Sequence, residues 1–144
     1  MGHHAKFVWD DSYSVQIQEI DEQHQEFFGI INSIYDLLEK ENITNANLIA
    51  AAAKLGDYAH YHLSTEEEYF QEFDYPEAAA HIKEHDMFRQ KMMGYMDKAE
   101  TDGPDLDVKG LVEEIATFAK DWLSGHIFTV DKKYIECFHQ HGLN

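Results

Sequence analysis

Apolar residues recur at three- and four-residue steps along most of the chain, which is the spacing of helices with one buried face. In the segment EIDEQHQEFFGIINSIYDLLEK, the apolar positions of this face are Ile20, Phe27, Ile31, Ile34 and Leu38. The segment ENITNAN interrupts the pattern, and Thr44 or Asn45 can cap the helix that follows it. The pattern therefore predicts a first helix over about residues 19–40 and a second over about 47–72.

Two further breaks divide the rest of the chain. The segment FDYP ends the second helix, and Pro76 suits the first turn of a third helix, where its missing N–H is harmless. Because ETDGPD is a turn, we predict a third helix over about 76–99 and a fourth over about 106–139, with Gly110 and Gly125 as its weak points. Four helices joined by short loops predict an all-α fold, an antiparallel up-down-up-down four-helix bundle.

The first residues of the chain lack this helical pattern. We expect residues 1–17 to form an N-terminal extended arm that Phe7, Val8 and Trp9 anchor to the bundle. A chain of 144 residues is long enough to bury a core, and we expect residues 1–144 to form a single domain.

Charge and cysteine content narrow the possible functions. The net charge is −17, from 28 acidic and 11 basic residues, which argues against a nucleic-acid partner. Cys137 is the one cysteine, so no internal disulfide forms and a reducing compartment is expected. No apolar run has the length of a membrane span, and the N-terminus shows no signal-peptide core. We therefore expect a cytoplasmic monomer that has no membrane partner.

Histidines at helical spacing are the candidate chemistry. His81 and His85 lie four residues apart on the third predicted helix, so their side chains share a face and can hold one metal ion. His62 and Glu66 repeat this spacing on the second helix, and His24 lies on the first. A helix bundle brings such residues together in its core, where metal sites of this fold class are built.

The fourth helix contributes His126 and Asp131. Their five-residue step rotates the aspartate by about 140° from the histidine, so the pair requires a leaning side chain or a local widening of the helix.

Taken singly, each candidate ligand has an ordinary explanation as a polar helix residue, and His60, Glu67 and Glu68 are expected to face solvent. His3 and His4 are left out of the predicted site. Taken together, five histidines and two carboxylates occupy compatible positions on four helices. Burying them without a metal would cost several kcal/mol.

The number of ligands indicates two metal ions. Two octahedral ions offer twelve positions, and five imidazoles, two bridging carboxylates and one bridging oxide or hydroxide fill eleven of them. The remaining position predicts a site for a small molecule. Imidazole and carboxylate ligands favour iron and leave zinc or manganese possible.

Apolar residues near the ligands are candidates for the wall of this site. Phe27 follows His24 by three residues, Trp122 precedes His126 by four, and Leu63 and Ile127 directly follow ligands. An apolar wall would keep out protons and disfavour the escape of a charged species from the site.

These residues resemble the ligand motifs of the hemerythrin family in its bacterial form. The motifs stand in order along nearly the whole chain: IDEQH with His24, HLSTEE with His62 and Glu66, HIKEH with His81 and His85, and WLSGHIFTVD with His126 and Asp131. The chain departs from the family at Leu63, where an aromatic residue often stands, so a roomier pocket is expected.

The resemblance implies a non-haem di-iron centre that binds dioxygen. Its cofactors would be two iron ions, Fe2+ or Fe3+, with a bridging oxo or hydroxo group. The coordinatively full iron would be held by His81, His85 and His126. The open iron would be held by His24 and His62, and the bridges would be Glu66 and Asp131. An oxygen carrier, storage or delivery protein is expected, rather than an enzyme.

Other functions stay open within this resemblance: an oxygen- or redox-sensing domain of a signalling protein, and peroxide or nitric oxide chemistry at the open iron. Outside it, His81, Glu84 and His85 match the H-x-x-E-H metalloprotease pattern, but that reading leaves the other ligands unexplained. A ferritin-like site needs Glu-x-x-His on two helices, and only Glu136 and His139 fit.

Overall fold

The computed structural model describes residues 6–101, 103 and 106–144, and it is built from helices. The four long helices are α1 (Gln18–Leu37), α2 (Asn45–Glu72), α3 (Ala78–Thr101) and α4 (Val108–Thr129), and a short α5 spans Ile135–Gln140. The described residues include no strand, so the predicted all-α four-helix bundle is confirmed. His3, His4 and part of the predicted ETDGPD turn lie outside the described residues.

The long helices form a ring in which each packs against its chain neighbours and α1 closes against α4. The predicted apolar face of α1 is buried, including Ile20, Phe27 and Ile31 at 0% exposure. Burial of each such side chain contributes about 1.5–3 kcal/mol. No helix in the described part of the chain is long and apolar enough to cross a membrane.

The start of α2 is fixed by Thr44. Its side chain accepts from the backbone N–H of Asn47, and the Asn47 side chain accepts from the backbone N–H of Thr44, which makes a reciprocal capping box. Asn45, the other candidate cap, instead donates its side-chain amide to the carbonyl of Ala99 at 3.0 Å. This contact ties the beginning of α2 to the end of α3.

The prediction of one continuous fourth helix was wrong. Helix α4 ends at Thr129, Val130 leaves the helical conformation (φ −121°, ψ −55°), and a 3-10 turn over Asp131–Tyr134 precedes α5. A continuous helix would turn Asp131 about 140° away from His126. The break lets the aspartate face the bundle interior. A tight 3-10 turn makes it, in place of the leaning side chain or helix widening that the spacing suggested.

Smaller differences occur at the other helix ends. Helix α1 ends at Leu37 and not near residue 40, and α3 begins at Ala78, so Pro76 lies in the turn before the helix.

The N-terminal arm is anchored mainly by Phe7, which is 4% exposed and stacks on Phe28 with ring centroids 3.4 Å apart. The side-chain amide of Asn32 accepts from the Phe7 N–H at 2.7 Å and donates to the Phe7 carbonyl at 2.8 Å. Trp9 contacts Phe28 edge-on. Val8 is 71% exposed, so its predicted anchoring role was wrong. Successive side chains of an extended segment point to opposite sides, and Val8 points away from the bundle.

Replacement of Phe7 by alanine should lower the free energy of unfolding by about 3 kcal/mol, because it leaves a cavity over Phe28. The matched control is Val8→Ala on the same arm, which should change this free energy by less than about 0.5 kcal/mol. Urea denaturation followed by circular dichroism measures both. Equal effects of the two substitutions would show that the arm is not held by Phe7.

Candidate metal centre

Seven polar side chains from all four long helices and the 3-10 turn converge in the bundle interior. Their exposures run from 0 to 5%: His24, His62, Glu66, His81, His85, His126 and Asp131. Their potential ligand atoms fall into two groups, within each of which all atoms lie within 4.8 Å of one another. One group is Glu66, His81, His85, His126 and Asp131, and the other is His24, His62, Glu66 and Asp131. Glu66 and Asp131 belong to both groups.

Asp131 presents one oxygen to each group. Its Oδ1 lies 3.0 Å from Nε2 of His81 and 2.9 Å from Nε2 of His126, in the three-histidine group. Its Oδ2 lies 3.2 Å from Nε2 of His24, in the two-histidine group. This is the arrangement expected of a carboxylate that bridges two metal ions.

Glu66 divides its oxygens in the same way. Its Oε1 lies 3.1 Å from Nε2 of His85 and 3.8 Å from Nε2 of His81, whereas its Oε2 lies 3.7 Å from Nε2 of His62. The Nε2 atoms of His81 and His126 also approach each other to 3.0 Å. The nitrogen and oxygen atoms of each group therefore face a common point.

Most of these facing atoms are not satisfied by hydrogen bonds. Among the described residues, the buried atoms without a hydrogen-bond partner include Nε2 of His24, His62 and His85, Oε1 of Glu66, and both carboxylate oxygens of Asp131. Buried polar atoms without partners are costly, and so many in one place are exceptional. Imidazole nitrogens and carboxylate oxygens at this spacing fit a pair of metal ions.

The pKa shifts of three ligands favour metal binding. Burial lowers the pKa of His62 to about 3, although Glu66 opposes the shift, so its imidazole is neutral. Burial and Asp131 raise the pKa of Glu66, but His62 and His85 outweigh them and lower it to about 2. Burial likewise raises the pKa of Asp131, and nearby imidazoles, His126 first, hold it well below its ordinary value. Neutral imidazoles and ionised carboxylates are the forms that bind metals.

His85 differs from His62. Burial lowers its pKa, but contacts with Glu66 and Glu67 outweigh burial and raise the pKa to about 9. A metal at Nε2 of His85 would therefore displace a proton on binding.

Gln23 supports one ligand and was missed by the sequence analysis. Its Oε1 lies 2.8 Å from Nδ1 of His62, and its own backbone carbonyl accepts from the hydroxyl of Tyr58 at 3.1 Å. A proton on Nδ1 that is donated to Gln23 leaves the Nε2 lone pair of His62 for a metal.

Glu67 was expected to face solvent, and this prediction was wrong. Its Oε2 lies 2.8 Å from Nδ1 of His85, and the Arg89 guanidinium donates to both of its oxygens at 2.7 and 3.1 Å. Burial raises the pKa of Glu67, but hydrogen bonds from His85 and Arg89 lower it to about 2. The neighbouring Glu68 is exposed, as predicted, and so is His60.

Tyr134 is a further contact that the sequence analysis missed. Its hydroxyl donates to Oε2 of Glu66 at 2.5 Å, and its side chain is fully buried. Burial raises the pKa of this phenol well above its ordinary value, so it stays protonated as a donor. Its position three residues after Asp131, which is the spacing of neighbours on a helix face, is the sequence signal that could have identified it.

Aromatic rings surround the ligands. Phe27 meets the His62 ring edge-on with centroids 6.0 Å apart, and Trp122 stacks on His126 at 4.3 Å. Phe88, which the sequence analysis missed, contacts both of these residues, at 6.1 Å from Phe27 and 4.6 Å from Trp122.

The remaining predicted wall residues, Leu63 and Ile127, are fully buried next to their ligands. The role of all four predicted residues in an oxygen pocket stays a prediction. Glu84 of the H-x-x-E-H pattern and Cys137 belong to neither ligand group.

Comparisons with known proteins agree with this geometry. The family model for the Hemerythrin HHE cation binding domain matches residues 15–138. A bacteriohemerythrin of Clostridium acetobutylicum is 31% identical over 132 residues, which cover 90% of this chain and 99% of that protein. A hemerythrin-like protein of Naegleria gruberi is 28% identical over 130 residues, covering 90% of this chain and 92% of that protein.

The fold also matches a solved structure of this family. The crystal structure of a wild-type hemerythrin matches with a TM-score of 0.80 and 26% identity, covering 92% of this chain and 98% of the other. From the family match, the relatives and the shared fold, this chain belongs to the hemerythrin family.

Proposed function

We propose that this protein binds dioxygen reversibly at a non-haem di-iron centre, as an oxygen carrier, storage or delivery protein. The observation that carries the proposal is the pair of buried ligand groups that share Glu66 and Asp131 but differ in their number of histidines. Hemerythrins are oxygen-binding proteins rather than enzymes, which supports a binding role.

The two groups support an assignment of the ligands to two ions. One iron would be held by His81, His85 and His126, and the other by His24 and His62. Glu66 and Asp131 would bridge them. With one histidine fewer, the group of His24 and His62 would leave a position for a small molecule on its ion. The iron pair, when bound, supplies the electrons that dioxygen binding requires.

The surrounding residues favour reversible binding over oxygen activation. The predicted wall of Phe27, Leu63, Trp122 and Ile127 would exclude water and protons and disfavour the escape of a charged oxygen species. Two carboxylates among seven ligands also supply little negative charge, so high-valent iron is stabilised less than in carboxylate-rich sites.

One observation favours a sensing role as a second candidate. Lys132, directly after Asp131, donates to the backbone carbonyl of Ser12 in the arm at 2.7 Å, and Nε2 of His139 lies 2.7 Å from the carbonyl of Gln16. The N-terminal arm is thus tied to the segment that carries a bridging ligand. A shift of Asp131 with the state of the metal would reach the arm through Lys132.

The proposed function is tested by an optical experiment on protein of known iron content. The protein is reduced without oxygen, exposed to oxygen and then purged with argon while the visible spectrum is recorded. Colour that appears with oxygen and vanishes on purging, at two irons per chain, is the expected result. Persistent colour, or conversion to ferric protein within seconds, would contradict reversible binding and favour redox sensing or peroxide chemistry.

The ligand assignment is tested by replacing His62 with alanine. This change should lower the iron content below two per chain, because it removes one of the two histidines of the open ion. The control is His60→Ala, two residues away on the same helix, where the side chain is exposed and two irons should be retained. Elemental analysis against protein concentration measures both variants. Two irons in His62→Ala would overturn the assignment.

A further inference from the structure

The outer nitrogens of two ligand histidines face acceptors of different charge. Nδ1 of His62, in the two-histidine group, faces the neutral side-chain amide of Gln23 at 2.8 Å. Nδ1 of His85, in the three-histidine group, faces the carboxylate of Glu67 at the same distance. The two hydrogen bonds that the Arg89 guanidinium donates to Glu67 favour the ionised carboxylate.

Arg89 holds Glu67 in place and neutralises part of its negative charge. The guanidinium donates through two nitrogens to the two oxygens of Glu67, at 2.7 and 3.1 Å, which is the strong two-pronged geometry of arginine–carboxylate pairs. The side chains of both residues are 22% exposed, so water screens the pair only in part. The contacts therefore run from Arg89 through Glu67 to the imidazole ring of His85.

We propose that Glu67 is a positioning residue that stabilises the oxidised state of the ion bound by His85, and that Arg89 limits this stabilisation. The inference rests on the proposed di-iron function, since it concerns the oxidation of that ion. It assigns different electronic surroundings to the two ions, beyond their difference in ligand number.

The physical reason is the charge on the acceptor. An anionic acceptor at Nδ1 fixes the ring orientation and makes the imidazole a more basic ligand. A more basic ligand stabilises the ion more strongly after it has lost an electron, because the ion then carries one more positive charge. Gln23 also fixes the ring of its histidine, His62, but it carries no negative charge. Arg89 neutralises part of the Glu67 charge, so it acts in the opposite direction.

Two substitutions distinguish an effect of the Glu67 charge on the reduction potential from simple structural support of His85. Glu67→Gln keeps an oxygen acceptor for His85 but removes the charge, which copies the Gln23 arrangement. It should raise the reduction potential of the iron centre. Arg89→Gln leaves the Glu67 charge uncompensated and should lower the potential. The control is Glu68→Gln, which makes the same change of charge at the adjacent exposed position and should leave the potential unchanged.

Loss of metal to a chelator is the second measurement, and it does not depend on oxygen binding. Protein loaded with zinc should lose metal about tenfold faster in Glu67→Gln than in Glu68→Gln, in keeping with the usual effect of outer contacts on metal affinity. Circular dichroism melting checks that each variant is folded. If the oxygen experiment failed while metal was bound, this rate would still test the role of Glu67.

Opposite shifts of potential in Glu67→Gln and Arg89→Gln, with faster zinc loss in the former, would support the inference. Shifts in the same direction would indicate a merely structural pair and overturn it. A potential and a zinc-loss rate in Glu67→Gln equal to those of Glu68→Gln would also overturn it. If Glu67→Gln did not fold, the potential of Arg89→Gln would decide: an unchanged or raised value would contradict the inference.

Discussion

Five histidines and two carboxylates lie in the interior of the bundle among mainly apolar side chains. Their removal from water is the constraint to which the rest of the site responds. Each buried ion costs several kcal/mol unless opposite charges or hydrogen bonds compensate it. Glu66 and Asp131 are both fully buried and carry pKa values below their ordinary ranges, so two negative charges lie close together in the core. The His85 imidazole, whose pKa is raised to about 9, compensates part of this charge, and two metal cations would compensate the remainder.

Local features of the fold serve this arrangement. The end of α4 at Thr129 turns Asp131 inward and, on the same 3-10 turn, brings Tyr134 to Glu66. The break thus positions one of the two carboxylates that the ligand groups share and satisfies an oxygen of the other. Gln23 and Glu67 orient two of the histidines from outside the ligand groups. Most of the polar atoms left without partners face the common points of the two groups.

Features that depend on residue spacing along a single helix could be predicted from the sequence. Four helices, the apolar face of α1 and the Thr44 cap follow from local patterns, and the resemblance pointed to the seven residues that the fold brings together. Contacts between helices were harder to predict. Glu66 and Glu67 are adjacent and chemically identical, but one faces the ligand groups and the other meets His85 and Arg89 of α3. The four-residue step from His62 selects Glu66, but only the packing of α2 on α3 shows that Glu67 meets His85 and Arg89.

The break in α4 escaped prediction for a related reason. No proline stands near Val130, and the residues around it are compatible with a continuous helix. The tertiary requirement that Asp131 reach both ligand groups outweighs that local preference. The five-residue step from His126 was the one sign that a regular helix could not serve both residues. The exposure of Val8 likewise depends on how the arm lies against α1, which its apolar character does not specify.

If two metal ions stabilise the buried ligands, a titration with metal shows it most directly. Metal-free protein is mixed with increasing Fe2+ in the absence of oxygen, and the free energy of unfolding is measured at each ratio. A ligand that binds only the folded state raises this free energy. We predict a rise that stops at two equivalents per chain. A rise that stops at one equivalent, or no rise, would contradict it.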